Sequence, residues 1–136
     1  MSEKVAYLGL GHMGGPMAMH LARKGYDIAV YNRTRSKAEA FVTQYGGRVA
    51  RTPADAVAGA VYVGMCVFGD EDAKSVALGE GGAFQSMHPD AVFVDHTTTT
   101  SETAELLGLE AKNNGFWYLD APVAGAEEAA RAGQLT

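Results

Sequence analysis

Short apolar runs alternate along the chain with segments in which apolar residues recur every three or four positions. The apolar runs predict six strands, at residues 4–9, 27–32, 48–50, 61–68, 91–96 and 116–121. The run VYVGMCVF at 61–68 is apolar without interruption, which is typical of a parallel strand that is buried on both faces.

The segments between these runs carry helical spacing or helix-capping residues. They predict helices at 13–24, 36–45, 53–59, 70–78 and 101–113, with a further helical segment at 81–87. Ser36 and Glu39 have the spacing of a capping box, and Thr52 followed by Pro53 predicts an N-cap with a proline in the first turn.

Strands that alternate with short helices build βαβ units, and the crossovers of such units are right-handed. No shift of composition marks a second unit along the sequence. We therefore expect an α/β fold with a doubly wound parallel sheet of the Rossmann type, formed by residues 1–136 as a single domain.

Composition and net charge limit the classes of binding partner that we expect for this protein. The net charge of −5 argues against nucleic acid, and no apolar run approaches the length of a membrane span. Cys66 is the single cysteine, so an internal disulfide is excluded and a reducing, cytoplasmic location is expected. The four histidines are scattered without the spacing of metal ligands, so we expect no metal site.

A glycine-rich loop between the first strand and the first helix indicates a nucleotide cofactor. Gly9, Gly11 and Gly14 form the pattern G-x-G-x-x-G in the strand-turn-helix context that dinucleotide-binding domains require. The three glycines permit a tight turn, the approach of a pyrophosphate and close helix packing, respectively. The predicted cofactor-binding residues of this loop are Gly9, Leu10, Gly11, His12, Met13 and Gly14.

The end of the second strand indicates which dinucleotide binds. NAD sites place an acidic residue there, whereas this chain has Asn32, Arg33 and Thr34. A guanidinium pairs well with a ribose 2′-phosphate, and the threonine adds a hydroxyl. These three residues predict NADP in preference to NAD, with a solvated basic turn as the alternative interpretation.

Four segments in order, "GLGHMGGPMAMHLARKGYDIAVYNRT", "GMCVFGDEDAKSV", "FVDHTTTTSETAELL" and "DAPVAGAEEAARAGQL", resemble the β-hydroxyacid dehydrogenase family. That family includes 3-hydroxyisobutyrate dehydrogenase, the glyoxylate and succinic semialdehyde reductases and, more distantly, 6-phosphogluconate dehydrogenase. The resemblance implies that Val67, Phe68 and Thr98 also contact the cofactor. It further implies that Val123, Ala124 and Gly125 contact a small carboxylate substrate.

Two departures from the family pattern affect the expected activity. Ala124 stands where the family has a serine whose hydroxyl contacts the substrate carboxylate, and Ala126 stands where it has a glycine. Backbone N–H groups of residues 124–126 then remain as the donors. The second departure concerns the family's catalytic lysine, which lies on a helix beyond this point. We therefore expect no catalytic residue in this chain.

These observations favour an NADP-dependent oxidoreductase that moves a hydride between the nicotinamide and a small 3-hydroxy acid, semialdehyde or keto acid. We expect the chain to be the N-terminal part of a longer protein, without the family's C-terminal helical domain and inactive alone. The full-length protein is expected to form a homo-oligomer. The alternatives are a non-catalytic NADP-binding module and an imine reductase-like enzyme.

Overall fold

Alternating strands and helices build one α/β unit in the computed structural model, which describes residues 2–136. The strands are β1 (Lys4–Leu8), β2 (Asp27–Tyr31), β3 (Arg48–Val49), β4 (Tyr62–Met65), β5 (Val92–Asp95) and β6 (Trp117–Asp120). The helices are α1 (Gly14–Arg23), α2 (Arg35–Tyr45), α3 (Pro53–Val57), α4 (Asp70–Leu78), α5 (Ser101–Asn114) and α6 (Glu127–Ala132), with a 3₁₀ turn at Ala83–Gln85.

The strands form a single parallel sheet in the order β3-β2-β1-β4-β5-β6. The chain runs outward from β1 to β3, returns to the centre at β4 and runs outward again to β6. The doubly wound sheet predicted from the sequence is confirmed, and its strand order reverses between β1 and β4.

Two apolar clusters hold the layers together, one on each face of the sheet. Val5 and Tyr7 of β1 pack with α1 and α2, whereas Ala6 and Leu8 pack with α3, α4 and α5. This alternation along β1 follows from the two-residue period of a strand.

The sheet face that carries α1 and α2 is less well covered at its β6 edge. Trp117 and Leu119 are 64% and 53% exposed. Tyr118 between them points to the opposite face and stacks on Phe93, with the ring centroids 6.0 Å apart. None of the helices in residues 2–136 is both long and apolar enough to span a membrane.

Several element boundaries differ from the sequence prediction. The predicted strand at 61–68 is a strand only at Tyr62–Met65, because the chain leaves the sheet there. The helix expected at 81–87 is the 3₁₀ turn Ala83–Gln85. α6 was not predicted at all.

The two capping predictions had opposite outcomes. The Thr52 cap is confirmed, since its Oγ1 accepts a hydrogen bond from the Asp55 N–H at 3.0 Å. The capping box at Ser36 is wrong, because α2 already begins at Arg35 and Thr34 is its N-cap residue. Ser36 therefore lies inside the first turn instead of capping it.

Candidate functional site

A crevice opens at the carboxyl ends of β1 and β4, the two central strands. After β1 the chain turns towards α1, and after β4 it turns towards α4, on the other face of the sheet. In open α/β sheets the ligand binds where the connections diverge in this way. We call the two sides the glycine-loop end, which comprises residues 9–14 and 32–34, and the β4–β5 end, which comprises residues 66–70 and 96–100.

Backbone packing explains two of the three motif glycines. Gly9 has a φ of +96°, and a Cβ on it would lie 2.1 Å from the Cys66 carbonyl oxygen. A Cβ on Gly14 would lie 2.1 Å from the carbonyl oxygen of Gly9. Neither position has room for a side chain, so the loop closes tightly between β1, α1 and β4 only with glycine at both.

Gly11 differs from these two glycines. A Cβ placed on it would meet no atom within 4 Å, and its φ lies outside the left-handed region. The described part of the chain therefore gives no packing or conformational reason for glycine at this position. The exposed backbone at Gly11 leaves open space in the crevice beside the start of α1.

The start of α1 is suited to an anion. Its N-cap residue Met13 makes no side-chain capping bond, and its first turn contains no acidic residue. The unpaired N–H groups of a helix N-terminus favour negative charge. α4, in contrast, begins with Asp70, Glu71 and Asp72, whose own carboxylates occupy its first turn.

Asn32 connects the glycine loop to the end of β2. Its Oδ1 accepts a hydrogen bond from the Leu10 N–H at 2.8 Å, and its Nδ2 donates to the Thr34 carbonyl at 3.1 Å. The Asn32 carboxamide thus fixes the separation between the loop and the basic turn that follows β2. This positioning role was not predicted from the sequence.

Arg33 projects from that turn into solvent. Its side chain is 83% exposed, and its Nη1 lies 3.4 Å from Oδ1 of Asp72 on α4. A single long contact of this kind between exposed groups holds the guanidinium only weakly. The cation therefore stands at the rim of the crevice and is free to meet an anionic group there.

A cavity of about 420 Å³ continues the crevice at the β4–β5 end. It brings together six of the residues predicted from four separate segments, namely Met13, Val67, Phe68, Thr98, Val123 and Gly125. Cys66, Gly69 and His96 complete the lining. Phe68 is 94% exposed, an unusual position for a phenylalanine that no other part of the described chain covers.

Hydrogen bonds accepted by the Asp70 carboxylate hold the wall of this cavity that follows β4. Asp70 accepts from the N–H and Oγ1 of Thr100 and from Oγ1 of Thr103, at 3.1, 2.6 and 2.7 Å. These bonds lower the pKa of Asp70, those from the two hydroxyls most. The loop after β4 is thereby fastened to the start of α5.

Three groups close to the cavity, Asp95, Thr97 and Cys66, are wholly or partly buried. Asp95 at the end of β5 is fully buried, as is Thr97, and burial raises the pKa of Asp95. Burial also raises the pKa of the Cys66 thiol to about 11, with a smaller contribution from Asp95. The thiol is therefore protonated and unreactive at neutral pH, as expected for a cysteine in an apolar run.

The segment after β6 folds back over the glycine loop. The Ala124 N–H donates to the Thr136 carbonyl at 2.6 Å, and the Thr136 N–H donates to the Ala124 carbonyl at 3.1 Å. The Ala124 donor is therefore occupied. Within residues 2–136 the N–H groups of Gly125 and Ala126 form no hydrogen bond, so both remain available among the three donors expected at residues 124–126.

α6 fixes this segment against α1. His20 Nε2 lies 2.8 Å from the Ala130 carbonyl oxygen, and His12 Nδ1 lies 2.9 Å from Oε1 of Glu127. Arg131 also binds Glu127, and these partners lower the pKa of that carboxyl, with Arg131 contributing most. His12 thus contacts α6, an interaction that the sequence analysis did not anticipate.

No lysine side chain from residues 2–136 reaches the cavity. Its lining contains none of the chain's lysines, which are Lys4, Lys24, Lys37, Lys74 and Lys112. The described residues also contain no group of three or more metal-ligating side chains.

The strand order, the glycine turn after β1 and the crevice beside it define an α/β dinucleotide-binding domain. Residues 4–136 match the family model described as the NAD binding domain of 6-phosphogluconate dehydrogenase, and the chain belongs to that family. It is accordingly an NAD(P)-binding domain of the oxidoreductase type that the sequence resemblance indicated.

One curated relative described as an oxidoreductase and two solved structures agree with this assignment. An uncharacterized oxidoreductase of Shewanella frigidimarina is 47% identical over 98% of this chain and 46% of its own length. The Mycobacterium tuberculosis 3-hydroxyisobutyrate dehydrogenase solved with L-serine is 29% identical, with a TM-score of 0.87 over 99% of this chain and 45% of its own. A structure described as Psf3 in complex with NADP+ and 2-OPP is 30% identical, with a TM-score of 0.88 over 96% and 46%. The chain thus spans about half the length of these relatives.

Proposed function

We propose that the chain is the NADP-binding domain of an oxidoreductase of the β-hydroxyacid dehydrogenase type. The observation that carries the proposal is Gly11, whose exposed backbone faces open space in the crevice while Gly9 and Gly14 are demanded by packing. A pyrophosphate that approaches the backbone between β1 and α1 gives a reason for glycine at that position. The uncapped start of α1 supplies N–H groups to the same phosphates.

We assign NADP in preference to NAD on the basis of Arg33 and Thr34. An acidic residue at the end of β2 would bind the ribose 2′-hydroxyl, and this chain has none there. The exposed Arg33 guanidinium supports a charge-assisted bond to a 2′-phosphate. Two further cations on the same turn and helix, Arg35 and Lys37, add to the positive potential.

The reaction we propose is hydride transfer between the nicotinamide and a small 3-hydroxy acid, semialdehyde or keto acid. When bound, the nicotinamide would supply the hydride, and Thr98 and Val67, which line the cavity at the β4–β5 end, are the residues that we assign to contact it. The free N–H groups of Gly125 and Ala126 support binding of the substrate carboxylate at the opposite wall. Val123 and the methyl group of Ala124 supply apolar contacts there.

In this proposal the proton donor for the alkoxide is a lysine outside the described residues, as the family resemblance implies, because no lysine lines the cavity. We therefore place the cofactor and the carboxylate site in this chain and the acid in a segment or subunit that completes the cleft. Assembly of the full-length protein into a homo-oligomer is part of the same proposal.

A domain that binds NADP without turnover is the second candidate. Ala124 supplies no hydroxyl to a substrate, and its N–H is already bound to Thr136. An imine reductase-like activity is the third, and the segment "DAPVAG" with the spacing of Ala130, Gly133 and Leu135 argues against it. Assays of glyoxylate, succinic semialdehyde and an imine with NADPH, using protein that contains the proton donor, separate the three.

The test of the proposal is Gly11→Val. A Cβ at this position meets no protein atom within 4 Å, so the fold is expected to be unchanged, but the side chain would occupy the space of the pyrophosphate. We expect the variant to lose NADPH binding, as measured by cofactor fluorescence, and to keep the circular dichroism spectrum of the parent.

Gly108→Val in α5 is the matched control, since a Cβ there makes only an ordinary contact with Tyr118, 3.8 Å away. This variant is expected to bind NADPH as the parent does. Retained binding in Gly11→Val would show that the phosphates lie elsewhere and would contradict the proposal.

A further inference from the structure

We propose that Asp95 and Thr97 are positioning residues that hold the two walls of the β4–β5 end at the separation required by the nicotinamide half of the dinucleotide. The inference rests on the proposed function and deepens it. Neither side chain was predicted as functional, and neither lines the cavity.

Asp95 is held by bonds to both of its carboxylate oxygens. Its Oδ1 accepts a hydrogen bond from the Thr97 N–H at 3.0 Å, and its Oδ2 accepts one from the Tyr118 hydroxyl at 2.7 Å. The carboxylate thus connects the turn after β5 to β6. Because Asp95 has no exposed surface, these partners fix its orientation.

Thr97 carries the connection to the other wall. Its Oγ1 accepts a hydrogen bond from the Val67 N–H at 3.0 Å, where the chain has just left β4. Val67 lines one side of the cavity, and Thr98, the neighbour of Thr97, lines the other. A single hydroxyl therefore spans the two loops whose side chains face the same space.

The arrangement is costly, which argues against a merely space-filling role. A carboxylate without exposed surface loses its hydration, and none of the ion pairs within residues 2–136 includes Asp95. Asp120, which lies opposite Asp95 in the β5–β6 register, adds further negative charge nearby. One hydrogen bond from the Thr97 N–H and one from the Tyr118 hydroxyl offset this cost while fixing the geometry of the loops.

These hydrogen bonds support only the part of the crevice where we expect the nicotinamide half of the dinucleotide. β4 and β5 belong to the second half of the doubly wound sheet, whereas the glycine loop and Arg33 belong to the first. The bonds of Asp95 and Thr97 end at Val67 and Tyr118 and do not reach the glycine-loop end. Their loss is therefore expected to weaken binding of the whole dinucleotide but not of its adenosine half.

The experiment compares two probes, NADPH and adenosine 2′,5′-bisphosphate, on the 136-residue chain. Thr97→Val keeps the shape of the side chain and removes the hydroxyl that Val67 requires. We expect it to weaken NADPH binding about three- to tenfold, the loss typical of one hydrogen bond. The affinity for adenosine 2′,5′-bisphosphate is expected to stay within about twofold of the parent.

Thr97→Ser is the matched rescue variant, because it retains the hydroxyl, and it is expected to restore NADPH binding to within about twofold of the parent. Tyr118→Phe removes the donor to Asp95 from the layer beneath and alters no residue of the cavity. It is expected to weaken NADPH binding about two- to threefold with the same selectivity, and it tests the inference even if Thr97→Val does not fold.

Three results would overturn the inference. Thr97→Val and Tyr118→Phe that bind NADPH as the parent does would show that the loops need no such support. Equal weakening of both probes would show that the residues act through overall stability. A parent chain that binds neither probe would contradict the proposed function itself and the inference with it.

Discussion

The two ends of the crevice are built by different means. At the glycine-loop end the loop itself is set by backbone packing, since Gly9 and Gly14 lie so close to carbonyl oxygens that no side chain fits, and the Asn32 side chain adds one link to the basic turn. At the β4–β5 end the geometry is set by side chains, with Thr97 joining the loops beneath the cavity and Asp70 fastening the rim to α5. The first end allows little adjustment, whereas the second depends on a few replaceable hydrogen bonds.

This difference determines how each end responds to substitution. A side chain at Gly9 or Gly14 would act on the fold and on the ligand site together, because these two glycines are part of the packing between β1, α1 and β4, whereas one at Gly11 would act on the ligand site alone. A lost hydrogen bond at the β4–β5 end removes one support of a loop and leaves the sheet intact. We therefore expect the largest changes of stability at the glycine loop and smaller, more selective changes at the other end.

The largest expected effect is that of Gly14→Ala. The new Cβ would lie 2.1 Å from the Gly9 carbonyl oxygen, so loop and helix must separate. We expect the free energy of unfolding to fall by about 2–3 kcal/mol, as for other overpacked sites. Gly11→Ala, three residues earlier, is expected to change it by less than about 0.5 kcal/mol. Urea unfolding measures both, and equal losses would refute the distinction between the two glycines.

A smaller effect is expected from Asp70→Asn. The bonds from Thr100 and Thr103 lower the pKa of Asp70 in the folded chain from its usual value of 3.8. A lowered folded-state pKa means that the carboxylate stabilises the fold above pH 3.8 and that this contribution disappears as the pH falls through the folded-state pKa.

The variant is therefore expected to be less stable than the parent at neutral pH and to approach it in acid. Unfolding midpoints measured over a pH series test this. A difference between parent and variant that is independent of pH would mean that Asp70 acts without its charge.

The smallest effect is expected from Asp72→Asn, which removes the weak anionic partner of Arg33. The exposed pair is separated by 3.4 Å and contributes little. Its loss is expected to strengthen NADPH binding by no more than about fivefold, because the guanidinium no longer has to leave Asp72. NADH binding serves as the control and is expected to stay unchanged; a parallel gain for both cofactors would point to an effect unrelated to the 2′-phosphate.

The structure of the glycine-loop end could be predicted from the sequence, because its geometry depends on glycines at fixed spacing. The glycine pattern predicted the turn, and the apolar runs predicted the strands, since both signals are local. The misplaced start of α2 is also a local matter. Ser36 and Glu39 have the right spacing for a capping box, but Thr34 precedes a helix whose first residue is Arg35.

The structure of the β4–β5 end could be predicted only in part, because the hydrogen bonds that hold it join residues far apart in sequence. Thr97 and Val67 are 30 residues apart in sequence. The local sequence of an apolar strand does not indicate that Asp95 will accept a hydrogen bond from Tyr118. α6 was missed because its run EEAARA has a single buried residue, Ala130, and is held by contacts with α1. One signal was available, namely a lone acid at the end of the buried run AVFVDH.

The ratio of NADPH to NADH affinity, measured by cofactor fluorescence in the parent, Arg33→Ala and Arg35→Ala, tests whether this crevice is an NADP site. Arg35→Ala removes the same charge from the adjacent helix and is expected to leave the preference for NADPH in place. Arg33→Ala should weaken NADPH binding by about 1.5–3 kcal/mol, or about 10- to 100-fold, and leave NADH binding unchanged. A parent chain that binds NADH as tightly as NADPH would contradict the assignment.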